Sequence, residues 1–126
     1  MSINMTGFVQ RAMHPKFELY IHPEDKVFLS ITRGHFGPED GEAAMTEYTN
    51  IVNSIDTTEY TFMIECKEMD ANSPEMFAVL VGFMKFYGEA NYKKVQILES
   101  KSRVTTAQLK RAIKESGADI ELIKSY

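Results

Sequence analysis

From Phe17 onward the apolar positions of the chain fall into regular patterns. Phe17, Leu19 and Ile21 alternate with Glu18 and Tyr20, the period-two signature of a strand with one buried face. His22-Pro23-Glu24-Asp25 supplies turn chemistry, and Val27, Leu29 and Ile31 alternate again, which predicts a hairpin. Gly34 and Gly37 break the second strand. Pro38, Glu39 and Asp40 then suit a first helical turn, where proline loses no hydrogen bond and carboxylates face the positive helix end. Ala44, Tyr48, Ile51, Val52 and Ile55 recur at helical spacing and make one apolar stripe. Tyr60–Cys66 is aromatic, β-branched and poor in charge, so it is expected as a central strand, largely buried.

Met69-Asp70-Ala71-Asn72-Ser73-Pro74 reads as a loop opening a second helix, with Ser73 as N-cap, Pro74 in the first helical position and an end near Ala90. Val95, Ile97 and Leu98 mark the next strand. Thr105 or Thr106 is expected to cap a third helix carrying Leu109, Ala112 and Ile113, which Gly117 ends, and Ile120, Leu122 and Ile123 close the chain as a short strand. Residues 1–14 show few periodic apolar positions and read as an irregular arm, in which Phe8 and Val9 are the residues able to dock. The resulting order, β-β-α-β-α-β-α-β, predicts one α/β domain over 1–126: a mixed β-sheet with parallel βαβ crossovers and helices packed on it.

Composition narrows the function. A chain of 126 residues, 44% of them apolar and 25% charged, has the make-up of a packed globular domain. Its net charge of −4 and the lack of a dense basic run argue against nucleic acid as a partner. The longest apolar stretch, Met76 to Met84, is far short of the roughly 20 residues that span a bilayer, so no membrane span is expected. A lone Cys66 and the absence of a signal-like N-terminal segment fit a cytoplasmic protein. His14, His22 and His35 lack metal-pair spacing, and no phosphate-binding glycine loop occurs, so neither a metal nor a cofactor is expected. No Ser, Cys or Lys stands beside an evident base. The chain therefore reads as a binding protein rather than an enzyme.

Over Thr61 to Ile123 the pattern resembles the STAS domain, the fold of bacterial anti-sigma-factor antagonists and of the cytoplasmic tails of sulfate transporters. Phe77-Ala78-Val79-Leu80-Val81-Gly82 looks like the aliphatic start of that family's helix, and Val95-Gln96-Ile97-Leu98 like the strand after it. The family motif Asp-Ser-Ser-Gly-Leu-Gly is not reproduced. Aligned without a gap, its aspartate falls on Ser73, its first serine on Pro74, its phosphorylated serine on Glu75 and its glycine on Met76. A two-residue gap places Ser73 at the phosphoserine instead. The resemblance implies a regulatory or adaptor domain that binds a protein partner.

The candidate site gathers around the second helix. Ser73 is read as a helix cap or as a phosphate carrier, and Glu75 as ordinary first-turn charge or as a fixed charge where relatives carry a switchable one. Asp70, with Glu65 and Glu68 upstream, makes the loop 67–73 acidic and disfavours a bound anion there. Asn72 belongs to the same loop. Helix 74–90 is apolar on nearly every side, so one stripe against a sheet leaves residues such as Phe83, Phe86 and Tyr87 for a second cover, either from this chain or from a partner. A protein partner bound through loop 67–73 and helix 74–90 is the leading expectation. A homodimer on the same helix is the alternative, and a small-ligand protein or enzyme with an apolar pocket is the third.

Overall fold

The computed structural model describes residues 3–124. The elements are β1 (Val9–His14), β2 (Phe17–His22), β3 (Val27–Gly34), α1 (Pro38–Val52), a single 3₁₀ turn (Thr57–Glu59), β4 (Thr61–Met69), α2 (Pro74–Glu89), β5 (Lys94–Leu98), α3 (Arg103–Ser116) and β6 (Glu121–Ile123). They form one six-stranded sheet ordered β1-β2-β3-β4-β5-β6. The pairs β1/β2 and β2/β3 are antiparallel, and β3 through β6 run parallel. The sheet is thus mixed, with a helix in each parallel crossover. All three crossovers step in the same direction across the sheet, and crossovers of one hand then lay their helices on one face.

The register shows which residues meet those helices. Leu19, Ser30, Ile64 and Ile97 form one row across the sheet and Ile21, Phe28, Phe62 and Val95 another. Apart from Ser30, these residues share one buried cluster with Tyr48 and Ile51 of α1, Phe77 and Met84 of α2, and Leu109 and Ala112 of α3. Alternation sends Tyr20, Leu29, Met63 and Gln96 to the opposite face. In β3 it is therefore Phe28 and Ser30 that face the helices, not the apolar triplet Val27, Leu29 and Ile31. Leu29 is nevertheless fully buried, because β3 lies inside the sheet and its outer side is flanked by Tyr20 and Met63.

The expected irregular arm over 1–14 is corrected from Val9 on, since Val9–His14 is an edge strand paired with β2; residues 3–8 carry no helix or strand, and residues 1–2 lie outside the described residues. Only Ala12 in it is buried, so its sequence carries no apolar face to announce it. Residues before it pack on the helix-free side. Phe8 sets its ring edge-on to His22 at 5.0 Å and to Tyr20 at 6.4 Å. Gly7, with φ +88, lies so close to the His22 ring that a Cβ would sit 2.2 Å from Nε2.

The helix ends follow local chemistry. Pro38 and Pro74 take first-turn positions, as expected. Asp40 accepts from Gly37 N–H at 2.8 Å, and Ser73 Oγ accepts from Met76 N–H at 3.2 Å. For α3 the expected Thr105 or Thr106 cap is corrected: Ser102 Oγ accepts from Thr105 N–H at 3.2 Å. Thr105 lies one turn in, fully buried, while Thr106 Oγ1 donates to the Ser100 carbonyl at 3.1 Å. Gly117 ends α3 in the left-handed conformation, φ 71.

Candidate functional site

Strand β4 runs on to Met69, so the connection into α2 is only residues 70–73 rather than 67–73. It is pinned along its length. Asp70 N–H donates to the Gly34 carbonyl at 3.1 Å, and the preceding Met69 carbonyl accepts from Ser100 Oγ at 2.9 Å. Gln108 of α3 then clasps the Asn72 backbone: its Oε1 accepts from Asn72 N–H at 2.7 Å, and its Nε2 donates to the Asn72 carbonyl at 2.9 Å. Of the acidic residues upstream, Glu68 is ion-paired with Lys101, and Glu65 accepts from Lys67 N–H. Asp70, Ser73 and Glu75 point to solvent.

The three aromatic rings of α2 divide. Phe86 is 54% exposed. Phe83 and Tyr87 are half-buried and turned toward α1. Gly41 of α1 lies close to α2: a Cβ there would be 3.3 Å from Met76 Cε and in ordinary contact, 3.7 Å, with Phe83 Cζ. Farther along, Tyr87 stands 5.2 Å from the Tyr48 ring and 4.9 Å from the Phe62 ring. The other flank of α2 meets α3, where the Arg111 guanidinium lies 4.0 Å over the Phe77 ring. Cover for the all-round apolar helix thus comes mainly from its neighbouring helices, and the N-terminal residues lie on the opposite side of the sheet.

Between α1, α2 and the sheet an apolar, partly open cleft remains, with a cavity of about 70 Å³. Phe17, Leu19, Ser30, Ile64 and Cys66 of the sheet form its floor, and Phe36, Ala44, Met45, Val79, Leu80 and Phe83 are among its walls. Four methionines line it, Met45, Met69, Met76 and Met84, and their unbranched side chains can rearrange around a guest. No charged side chain lines it. Of the residues singled out in the sequence, Asn72, Phe83 and Tyr87 belong to this cleft, whereas Asp70, Ser73, Glu75 and Phe86 face outward. From Glu75 to Phe86 is about 16 Å along the helix, so the outward residues form two separate spots.

The polar groups around the cleft are mostly satisfied within the chain. Tyr92 OH donates to Tyr48 OH at 2.9 Å, and Thr32 Oγ1 donates to the Glu65 carbonyl at 3.1 Å. Burial pushes the Tyr48 hydroxyl and the Cys66 thiol each up to about 12 and raises Tyr87 and Tyr92 further, so all four stay protonated at neutral pH. Ser30 and Tyr87 differ: Ser30 is 7% exposed, Tyr87 is half-buried, and neither hydroxyl has a hydrogen-bond partner among the described residues. Ser30 and Met45 were not singled out by the sequence, and Ala44 and Leu80 only as helix positions. None of them stands out there, because the cleft is the space that two helices leave unfilled.

Among the described residues no group of three His, Cys, Asp or Glu is placed to hold a metal, and no helix is long and apolar enough to cross a membrane. No family model and no curated protein matches the chain. Among solved structures it is similar to an uncharacterized protein of the DUF3478 family with a SpoIIAA-like fold from Shewanella loihica PV-4. The TM-score is 0.62 at 17% identity, over 99% of this chain and 92% of that one. The protein therefore has the SpoIIAA-like, that is STAS-like, α/β fold.

Proposed function

We propose that the protein is a non-enzymatic binding domain whose ligand site is the cleft between α1, α2 and the sheet. The observation that carries this reading is a cavity of about 70 Å³ whose lining is almost wholly apolar, in a chain of only 126 residues. Interiors normally close such voids, and a site for a small molecule has this character: apolar walls with few polar groups. A dry cavity of about 150 Å³ takes up benzene, so a single ring needs only modest side-chain movement here, and the four methionines provide it. The cleft offers no carboxylate, imidazole or ammonium for acid–base work, and burial keeps the Cys66 thiol protonated and unreactive.

The methionine methyls supply the test. Toluene titrated into protein carrying ¹³C-methyl methionine is expected to shift the signals of Met45, Met69, Met76 and Met84 saturably. Met13 on the β1 edge and Met63 on the opposite sheet face should stay put. Shifts that never saturate, or that are as large at Met13 as at Met84, overturn the reading.

One observation favours a second reading, a protein partner on the outer side of α2: the 54% exposure of Phe86 on a helix whose outer first turn carries Glu75. Phe86→Glu is then expected to abolish capture of a partner, or self-association seen by light scattering, with an unchanged circular dichroism spectrum. A variant that behaves as wild type in both assays removes this reading.

A further inference from the structure

Ser30 occupies an unusual place. It sits in β3, inside the sheet, with Leu19 and Ile64 as its register neighbours and Phe28 two residues before it on the same face. Its neighbours on this face are apolar apart from Thr32, and the residue is only 7% exposed, yet its hydroxyl opens into the cleft without a hydrogen-bond partner among the described residues. Hydroxyls in so shielded a place are nearly always paired, and among the described residues the fully buried exception is Thr105 Oγ1 in α3, outside the cleft. The neighbouring hydroxyls show the usual outcome. Thr32 is bonded to the Glu65 carbonyl and Tyr48 to Tyr92.

We infer that Ser30 is the polar anchor of the cleft, and that the cleft selects an uncharged small molecule with an apolar body and one hydroxyl or carbonyl group. This rests on the reading of the cleft as a ligand site. The apolar body follows from the walls, and the neutrality from the absence of any charged side chain in the lining: a carboxylate or ammonium brought there loses its hydration with no opposite charge to meet it. The polar group follows from Ser30, which lies on the sheet floor and whose hydroxyl both donates and accepts and so suits an alcohol or a carbonyl equally. Its position on the sheet floor orients the guest, polar end down against β3 and apolar end toward Met45, Leu80 and Phe83.

The test compares toluene, benzyl alcohol and benzoate at pH 8 on the methionine methyl signals, in the wild type and in Ser30→Ala. In the wild type benzyl alcohol is expected to bind about five- to ten-fold more tightly than toluene, the ratio that one net hydrogen bond supplies, and benzoate to give no saturable shift. In Ser30→Ala the preference for the alcohol should vanish while toluene binds as well or better. Toluene equalling benzyl alcohol in the wild type overturns the anchor, as does a preference that survives Ser30→Ala, and either outcome leaves the cleft standing as a site. Tight binding of benzoate overturns the neutrality. Failure of all three probes to shift the cleft methionines removes the cleft reading itself. Ser30→Cys, which keeps the size and weakens the hydrogen bond, gives the same comparison should the alanine variant fold poorly, and an alcohol preference undiminished there also overturns the anchor.

Discussion

Replacing Gln108 by alanine tests how the α2 entry is held. The side chain makes two short bonds to the Asn72 backbone, 2.7 Å from N–H and 2.9 Å to the carbonyl, and a weaker 3.4 Å contact to Asn72 Nδ2. Each good bond contributes about 0.5–1.5 kcal/mol net, so Gln108→Ala is expected to cost roughly 1–3 kcal/mol. For a chain of this length that lowers the thermal midpoint by about 4 °C per kcal/mol. The clamped atoms belong to the backbone, which gives the prediction its asymmetry. Asn72→Ala keeps both short bonds and should cost well under 1 kcal/mol, whereas Gln108→Ala loses both. Gln108→Glu keeps the acceptor and sets a second acceptor against the Asn72 carbonyl, so it should fall between wild type and alanine or below. Urea unfolding gives the energies, and hydrogen exchange at residues 70–73 gives the location. Equal losses for Asn72→Ala and Gln108→Ala, or unchanged exchange at the Asn72 amide in Gln108→Ala, would refute the clamp.

Two glycines of α2 should respond oppositely to alanine. A Cβ at Gly82 meets nothing within 4 Å, so Gly82→Ala is expected to stabilise by about 0.5–1 kcal/mol, whereas at Gly88 it would lie 2.9 Å from Ala118 Cβ, and Gly88→Ala is expected to destabilise. Denaturation midpoints that move the same way for both would contradict this packing. The Cys66 thiol is raised to about 12 by burial, so native protein should resist a thiol reagent at pH 8 and react once unfolded; rapid native labelling would show that the strand opens. Because the folded value lies above the unfolded one, Cys66 contributes stability that is complete below about 8.5 and lost as pH rises toward 12. Cys66→Ala should therefore flatten the alkaline limb of the stability curve, and an unaltered slope would assign that limb to other groups.

Elements whose residues bury one clean face were legible in the sequence. Phe17, Leu19 and Ile21 announced β2, the Tyr48 and Ile51 stripe announced α1, and Ser73-Pro74 marked the start of α2. Strand β1 was not legible because it buries only Ala12 and is held mainly by backbone bonds to β2, which any side chain permits. The α3 cap was misplaced because Ser100, Ser102, Thr105 and Thr106 all offer a hydroxyl, and only the three-dimensional path of the chain selects Ser102. In β3 the apolar alternation pointed to the wrong face, since an inner strand is covered on both sides and its most telling residue is the polar one, Ser30. For the site, the all-round apolarity of α2 was visible early, but whether Phe83 and Tyr87 turn to a partner or inward depends on where α1 lies against α2, which a sequence pattern does not give.

The spatial order of the six strands is also their order along the chain. Each strand that emerges during synthesis finds the edge it pairs with already made, and no later segment has to be inserted between two earlier ones. Assembly can therefore advance in one direction, adding a strand and its covering helix at each step, with every loop closed over a short length of chain. At the far edge β6 spans only Glu121–Ile123, too short to template a further strand. The same one-way order never reverses, so the sheet lacks the crevice at a reversal point where open α/β sheets hold their ligands. A guest must find its place beneath the helices instead, which is where Ser30 waits.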